Sequence, residues 1–220
     1  MNGLVTVLLV DDHAVVREGY RRLLQESGRV SVVGEAVNAA EAYQQFCTLN
    51  PDVVVMDIAL PGVSGIEGTR RILARRPDAR VLVFSMYEDT IFVRRALDAG
   101  AVGYVTKASA PKVLVEAVAA VAAGRRYLSQ DVARALEVIP PTLAEGAPES
   151  LSAREFEVLK LLVQGCSIGE IAGQLGVNPK TVANHQSSIR QKLGVTTATQ
   201  LFRAALRLGL VPPVATDQDY

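Results

Sequence analysis

The chain has 220 residues, with 23 lysine and arginine side chains and 23 aspartate and glutamate side chains, so its formal net charge is zero. This length allows one or two domains. Two cysteines without metal-ligand spacing exclude a disulfide framework, and no apolar run reaches membrane-spanning length. The first residues lead into a strand pattern with no signal peptide, so we expect a cytoplasmic protein with no membrane partner.

Charge is distributed unevenly along the chain. From residue 151 to residue 210 there are seven lysines and arginines against three acidic residues. The segment from Ile171 to Thr216 contains no acidic residue at all. This basic segment predicts an acidic partner for the C-terminal part alone. A chance cluster of solvated charge is the alternative.

Apolar runs alternate with amphipathic stretches through the first 126 residues. The pattern predicts strands at 5–10, 30–33, 53–56, 81–84 and 102–105, and helices at 14–26, 39–49, 65–75, 90–99 and 111–123. Such alternation is typical of an α/β fold. We therefore predict a doubly wound, five-stranded parallel sheet covered by helices on both faces.

Carboxylates follow two of the predicted strands directly. Asp11 and Asp12 follow the first strand, and Asp57 follows the third. The carboxyl ends of parallel strands meet at one sheet edge, where three carboxylates repel one another unless a cation joins them. Oxygen ligands of this kind favour Mg²⁺, and the group predicts phosphate chemistry. Taken singly, Asp11 and Asp12 could cap a helix and Asp57 could be a turn residue.

Four segments in this region, LLVDDH, VVMDIALPGVSG, VLVFSMYED and AGAVGYVTKA, resemble the receiver domain of two-component response regulators, which has a flavodoxin-like fold. The resemblance implies that Asp57 accepts a phosphoryl group from a sensor histidine kinase. It also implies that Asp12 and Asp57 bind Mg²⁺, that Asp11 contributes through water, and that the carbonyl group of Ala59 completes the protein ligands.

The same resemblance assigns three residues at later strand ends. Lys107 and Ser85 would bind the phosphoryl group through an ammonium and a hydroxyl group. Tyr104 matches the aromatic switch of the family, which turns inward when that hydroxyl moves. An aromatic residue at the core edge with no switching role is the alternative for Tyr104.

Residues 127–149 are predicted to form a helical extension and a linker. A helical pattern covers 130–138, and three prolines and a glycine then interrupt all periodicity between 139 and 148. The predicted domains are therefore 1–126, a linker at 127–149 and a second domain at 150–212, with a tail at 213–220.

The second domain has the start and stop signals of four helices. Capping boxes at 152–155 and 167–170 begin the first two helices. Asn178 and Pro179 begin the third, Gly194 ends it, and a fourth helix covers 198–208. A short helix, a glycine turn and a second helix predict a small all-α helix-turn-helix domain.

The third of these helices has two faces. Val182, Ile189 and Leu193 are predicted to face the core, with His185 or Gln186 between them. The other face suits the DNA major groove, because amide, hydroxyl and small groups can contact base edges while cations hold phosphates. The predicted DNA-binding residues are Lys180, Thr181, Ala183, Asn184, Ser187, Ser188, Arg190, Gln191 and Lys192. The alternative is that this face binds protein.

The segment LSAREFEVLKLLVQGCSIGEIAGQLGVNPKTVANHQSSIRQKLGV resembles the LuxR-type DNA-binding domain. Many relatives have lysine at the position of Ala183, so the resemblance does not define the base contacts or the target sequence of this chain. Together with the receiver-like segments, it resembles a NarL/FixJ-type response regulator. This resemblance implies a transcription regulator rather than an enzyme, in which phosphorylation of Asp57 gates homodimerisation and binding to double-stranded DNA. An apolar stripe of Leu201, Ala205 and Leu208 predicts that the helix 198–208 forms the dimer contact, and packing of this stripe in the core is the alternative.

Three other functions stay open from the sequence. Asp57 could be the turnover nucleophile of a phosphatase or phosphotransferase. The receiver could be only a dimerisation module in a DNA-binding regulator that does not respond to phosphorylation. The helical bundle could be a protein-interaction module.

Overall fold

A parallel sheet forms the centre of the N-terminal unit in the computed structural model, which describes residues 3–109, 111–138, 151–207 and 210. The sheet order is β2-β1-β3-β4-β5-β6, and every neighbouring pair is parallel. The strands are β1 (Val5–Val10), β2 (Val30–Ala36), β3 (Val53–Met56), β4 (Val81–Ser85), β5 (Gly103–Thr106) and β6 (Tyr127–Leu128). The predicted parallel α/β fold is confirmed.

The predicted number of strands was wrong by one. The sixth strand has two residues, and Tyr127 and Leu128 pair with Gly103 and Tyr104 of β5. Two residues are too short to show a strand periodicity, so the sequence pattern could not reveal this strand.

The described residues of this unit form six helices: α1 (Ala14–Glu26), α2 (Ala39–Leu49), α3 (Gly65–Arg75), α4 (Thr90–Asp98), α5 (Pro111–Ala122) and α6 (Gln130–Val138). Successive residues of the central strands enter different cores, because strand side chains alternate between the two faces. Val7 and Leu9 lie in one apolar cluster, whereas Leu8 and Val10 lie in the other. Both faces are buried, which explains why these strands are continuous apolar runs.

In the C-terminal unit, the part of the chain that the structure describes contains four helices: α7 (Ala153–Val163), α8 (Ile168–Leu175), α9 (Pro179–Leu193) and α10 (Ala198–Arg207). Both predicted capping boxes are present, and the Asn178 side chain accepts a hydrogen bond at the start of α9. Gly176 and Gly194 end α8 and α9 in the left-handed region, with φ values of 63° and 64°. This is the helix-turn-helix arrangement expected from the caps.

The chain divides into two compact units, Met1–Ile139 and Pro140–Tyr220. Residues 139–149 of the predicted linker, the tail at 213–220 and the predicted last residue of the fourth helix, Leu208, lie outside the described residues. Within the described ranges, no helix combines the length and the apolar character that crossing a membrane requires.

Candidate functional sites

Two buried carboxylates lie side by side at the carboxyl edge of the sheet. In the pairing of β1 with β3, Val10 lies opposite Met56, so Asp11 and Asp57 leave the sheet at the same level. The Asp57 N–H donates to the carbonyl group of Val10 over 3.0 Å. Asp11 and Asp57 are only 2 % and 3 % exposed. Burying two like charges together requires a cation between them.

Lys107 supplies that cation. Its ammonium group lies 2.6 Å from Asp11 Oδ2 and 2.6 Å from Asp57 Oδ2, and its side chain is only 6 % exposed. Burial by itself lowers the pKa of Lys107, but the charges of Asp57 and Asp11 outweigh burial and raise the pKa above its usual range. The structure therefore brings together the predicted phospho-acceptor, one predicted metal ligand and the predicted phosphoryl-binding lysine.

Part of the predicted Mg²⁺ ligand set lies at this edge of the sheet. Asp11, Asp12 and His13 each offer a ligand atom within 4.8 Å of the others. Mg²⁺ prefers oxygen ligands, and His13 Nδ1 already lies 2.7 Å from Asp12 Oδ1, so His13 is better placed as a partner of Asp12 than as a ligand. The N–H of Ala59 lies 3.3 Å from Asp57 Oδ1, and the role of the Ala59 carbonyl group stays a prediction.

The predicted switch residues lie beside the carboxylates and are completely buried. Ser85 ends β4, and Tyr104 is in the middle of β5 with 0 % exposure. The Tyr104 hydroxyl donates to the carbonyl group of Tyr87 over 2.6 Å and also hydrogen bonds to Ser85. Burial and the nearby charge of Asp57 raise the pKa of Tyr104, so its phenol stays neutral. The inward position of Tyr104 connects the β4–α4 loop to the sheet.

Two neighbours of this site were missed from the sequence. The Thr106 hydroxyl, fully buried next to Lys107, donates to Asp131 of α6 over 2.5 Å. Arg17 of α1 donates to the Asp11 carbonyl group over 2.8 Å and to Glu35 over 2.8 Å. Thr106 could have been recognised from the sequence, because it is a polar residue on an otherwise apolar buried strand. The contacts of Arg17 could not, because they depend on the tertiary fold.

On α9, five of the nine predicted DNA-binding residues are exposed and the other four are half-buried. Lys180, Asn184, Ser187 and Gln191 are exposed at helical spacing, opposite the buried Val182 and Ile189. Thr181 and Ala183 are half-buried beside these residues. We call Lys180, Asn184, Ser187 and Gln191 the α9 stripe; the fifth exposed residue, Lys192, has an ion-pair partner in another helix.

Two of the predicted DNA-binding residues, Ser188 and Lys192, contact a carboxylate of another helix, and their role in DNA binding stays a prediction. The Ser188 hydroxyl donates to Glu155 Oε1 over 2.6 Å, and the Lys192 ammonium lies 2.6 Å from Glu155 Oε2. Burial alone raises the pKa of Glu155, but hydrogen bonds from Lys192, Ser188 and Ser152 outweigh it and lower the pKa to about 2. The spacing of Ser188 and Lys192 along α9 could not reveal these contacts, because Glu155 belongs to another helix.

Arg190 also lies away from the α9 stripe. It lines a groove of about 410 Å³ between α7, α9 and α10, together with Leu162, Gln186, Leu201 and Phe202. On α10, Leu201 and Ala205 are 5 % and 0 % exposed, so they pack in the core of this unit rather than forming a free apolar stripe.

Residues 7–119 match the family model described as the response regulator receiver domain, and residues 149–205 match the model described as bacterial regulatory proteins of the luxR family. The chain is a two-component response regulator of the NarL/FixJ type. The acidic edge of the sheet lies in the segment that matches the receiver model, and the helix-turn-helix lies in the segment that matches the luxR-family model.

Full-length relatives share this organisation. The response regulator is 36 % identical over 209 residues to the response regulator UvrY of Escherichia coli (strain K12), covering 94 % of this chain and 96 % of that protein. It is 41 % identical over 208 residues to the transcriptional activator protein ExaE of Pseudomonas putida, covering 93 % and 97 %. Both relatives match this chain over nearly their whole length.

A solved structure of RcsB from Salmonella enterica serovar Typhimurium is also similar. It was determined with RcsB bound to the promoter P1flhDC in the presence of the phosphomimetic BeF3−. The TM-score is 0.58 at 29 % identity, and the match covers 94 % of this chain and 100 % of that one. The regulator thus shares its domain content with a protein whose DNA complex has been solved.

Proposed function

We propose that phosphorylation of Asp57 by a sensor histidine kinase gates dimerisation and sequence-specific DNA binding by this response regulator. The observation that carries the proposal is the contact of Lys107 with both Asp11 and Asp57 at the end of the sheet. It supplies a nucleophilic carboxylate and a fixed cation at one point, which are two requirements of phosphoryl transfer.

In this proposal, Asp57 attacks the phosphorus atom of a phosphohistidine. A bond forms between a carboxylate oxygen and phosphorus while the phosphorus–nitrogen bond breaks, and the histidine nitrogen leaves. Asp11, Asp12 and Asp57 would hold Mg²⁺, which supplies charge neutralisation for the phosphoryl oxygens. The Lys107 ammonium, freed from direct contact with the Asp57 carboxylate, would bind a phosphoryl oxygen.

Signal transmission would follow β5. The strand carries Tyr104 and Thr106 and leads directly into Lys107. The N–H of Ser129 donates to the carbonyl group of Tyr104 over 3.0 Å, and Thr106 donates to Asp131. These hydrogen bonds connect the strand to β6 and α6, which precede the linker, and α6 also packs against α4. Movement of β5 on phosphorylation would therefore reach the segment before the DNA-binding domain.

The α9 stripe would enter the major groove. Asn184 and Gln191 offer amides for base edges, Ser187 offers a hydroxyl group, and the Lys180 ammonium would bind a phosphate. RcsB, which has the same domain content, has been solved as dimers on DNA. Two copies of the regulator would accordingly read two half-sites.

The experiment measures DNA binding by the full chain to a genomic pool of duplexes, with and without Mg²⁺ and beryllofluoride, a stable mimic of the phosphoryl group. We expect beryllofluoride with Mg²⁺ to tighten binding by about tenfold or more and to produce dimers. The Asp57→Asn variant is the control and should not respond. Equal binding in every condition would identify a DNA-binding regulator that does not use phosphorylation as its switch.

The phosphatase alternative needs a separate measurement. A receiver incubated with a small phosphoryl donor should form one acyl phosphate per chain and release phosphate no faster than that group hydrolyses. Sustained multiple-turnover release that Asp57→Asn abolishes would instead show an enzyme.

A further inference from the structure

Glu155 is a buried carboxylate that joins two helices of the DNA-binding domain. It is 4 % exposed and lies in the first turn of α7. One carboxylate oxygen accepts the Ser152 N–H over 2.7 Å and the Lys192 ammonium over 2.6 Å, and the other accepts the Ser188 hydroxyl over 2.6 Å. Ser188 and Lys192 are four residues apart on α9, so one carboxylate holds a full turn of that helix.

Capping alone does not explain this arrangement. Glu170 occupies the same position in the capping box of α8, where it is exposed and accepts hydrogen bonds from Ser167. The two glutamates therefore share a local motif, but of the two only Glu155 has a buried carboxylate that forms an ion pair with a second helix, through the partly exposed Lys192. Burial of a charge is costly unless every oxygen is satisfied, and here three donors from α7 and α9 satisfy it.

We propose that Glu155 is a positioning residue, which together with Ser188 and Lys192 holds α9 against α7 and sets how the α9 stripe meets DNA. Ser188 and Lys192 act through Glu155 and are not contacts to DNA. This inference rests on the proposed DNA-binding function and deepens it. Two kinds of lysine then occur on α9. Lys180 has no ion pair among the described residues, whereas Lys192 is paired with Glu155.

The two kinds of lysine differ in their salt dependence. A lysine that contacts a phosphate releases counterions, so its removal makes the slope of log K against log salt shallower by about 0.9. A lysine whose charge is already neutralised by Glu155 releases none when DNA binds. Its loss should weaken binding by the same factor at every salt concentration.

The test uses the full chain with Mg²⁺ and beryllofluoride, and one duplex selected by the wild-type protein from a random pool. Affinity is measured between about 50 and about 200 mM KCl and is corrected for the folded fraction. We expect Lys180→Ala to give a shallower slope. Lys192→Met should keep the wild-type slope and weaken binding about tenfold at all salt concentrations.

Two further variants separate positioning from loss of charge or fold. Lys192→Arg keeps the ion pair, so it should restore most of the affinity lost in Lys192→Met. Glu170→Gln is the matched control for Glu155→Gln, because it alters a capping box without touching α9. We expect Glu155→Gln to weaken binding at the wild-type slope and Glu170→Gln to leave affinity unchanged.

A shallower slope for Lys192→Met, equal to that of Lys180→Ala, would overturn the inference, because Lys192 would then contact a phosphate. Unchanged affinity of folded Glu155→Gln and Lys192→Met would overturn it as well, by showing a role in stability alone. Failure of the wild-type protein to select any duplex would instead reject the proposed DNA-binding function.

Discussion

Replacing Lys107 by methionine would leave two buried carboxylates without a cation between them. The ammonium contacts one oxygen of Asp11 and one of Asp57 at 2.6 Å each, so these oxygens are no more than twice that distance apart. At this separation and an effective dielectric constant of about 20, two negative charges repel by about 3 kcal/mol. Removing one partner of a buried ion pair costs about 3–5 kcal/mol. We therefore expect Lys107→Met to lower the free energy of unfolding by about 3 kcal/mol at pH 7.

Urea unfolding followed by tyrosine fluorescence measures this loss in the full chain. The protein has no tryptophan, and five of its six tyrosines belong to the N-terminal unit, so the signal reports on the receiver. With a urea dependence of about 2 kcal/mol per molar, the midpoint should fall by about 1.5 M. Lys112→Met is the matched control, because Lys112 is exposed on α5.

Two additional conditions check the physical reason. Adding Asp57→Asn to Lys107→Met removes one of the two charges and should recover most of the lost stability. Mg²⁺ at about 100 times its dissociation constant should stabilise the folded receiver by about 2.7 kcal/mol, and it should narrow the difference between variant and wild type. Equal urea midpoints for Lys107→Met and Lys112→Met without Mg²⁺ would refute the reasoning.

The sign of the pH dependence follows from the raised pKa of Lys107. A cation whose pKa is higher in the folded state stabilises the fold fully below its unfolded value of 10.5 and loses that effect as pH rises through the folded value. The difference between wild type and Lys107→Met should therefore persist across neutral pH and shrink only in alkaline solution.

Four other substitutions give expected outcomes. Gly65→Ala would place a methyl group 1.8 Å from the Asp57 carbonyl oxygen, so we expect a loss of about 1–3 kcal/mol in urea unfolding and weaker binding of beryllofluoride. Tyr104→Phe removes a 2.6 Å hydrogen bond and should cost about 1 kcal/mol in the same assay. Thr106→Val breaks the contact with α6, so DNA binding should respond less to beryllofluoride. Glu155→Gln removes a carboxylate whose pKa is lowered from 4.5 to about 2, a shift that corresponds to about 3 kcal/mol. Because solvent around its partly exposed partner screens the interaction, we expect the free energy of unfolding to fall by about 2 kcal/mol. The lowered pKa means that this stabilisation is present above pH 4.5 and is lost as pH falls towards about 2, which urea unfolding followed by helix circular dichroism can measure.

Controls for these substitutions lie in the same elements. An added Cβ at Gly19 of α1 meets no atom within 4 Å, so Gly19→Ala should be neutral or stabilising by about 1 kcal/mol. A similar loss in Gly19→Ala and Gly65→Ala would contradict the steric explanation. Lys112→Met should keep the full response of DNA binding to beryllofluoride, and an undiminished response in Thr106→Val would show that the output does not pass through α6.

Local signals predicted most of the secondary structure of this protein. The apolar runs of β1 and β3 end where Asp11 and Asp57 begin, because buried parallel strands need no polar alternation and their ends carry the site. Caps such as Asn178 and Gly194 act on groups within a few residues of themselves, so their effect can be read from the sequence. The parallel sheet, the four C-terminal helices and the general position of the site followed from these signals.

The tertiary structure alone decided which charges meet. Lys107 and Asp11 are 96 residues apart, and Lys192 and Glu155 are 37 apart, yet each pair lies within 2.6 Å. A sequence pattern shows which residues share a helix face or a strand end, but not which side chain of another element neutralises them. For this reason the sequence predicts Lys192 as a DNA-binding residue, and only the packing of α9 against α7 reveals its ion pair with the buried Glu155 carboxylate.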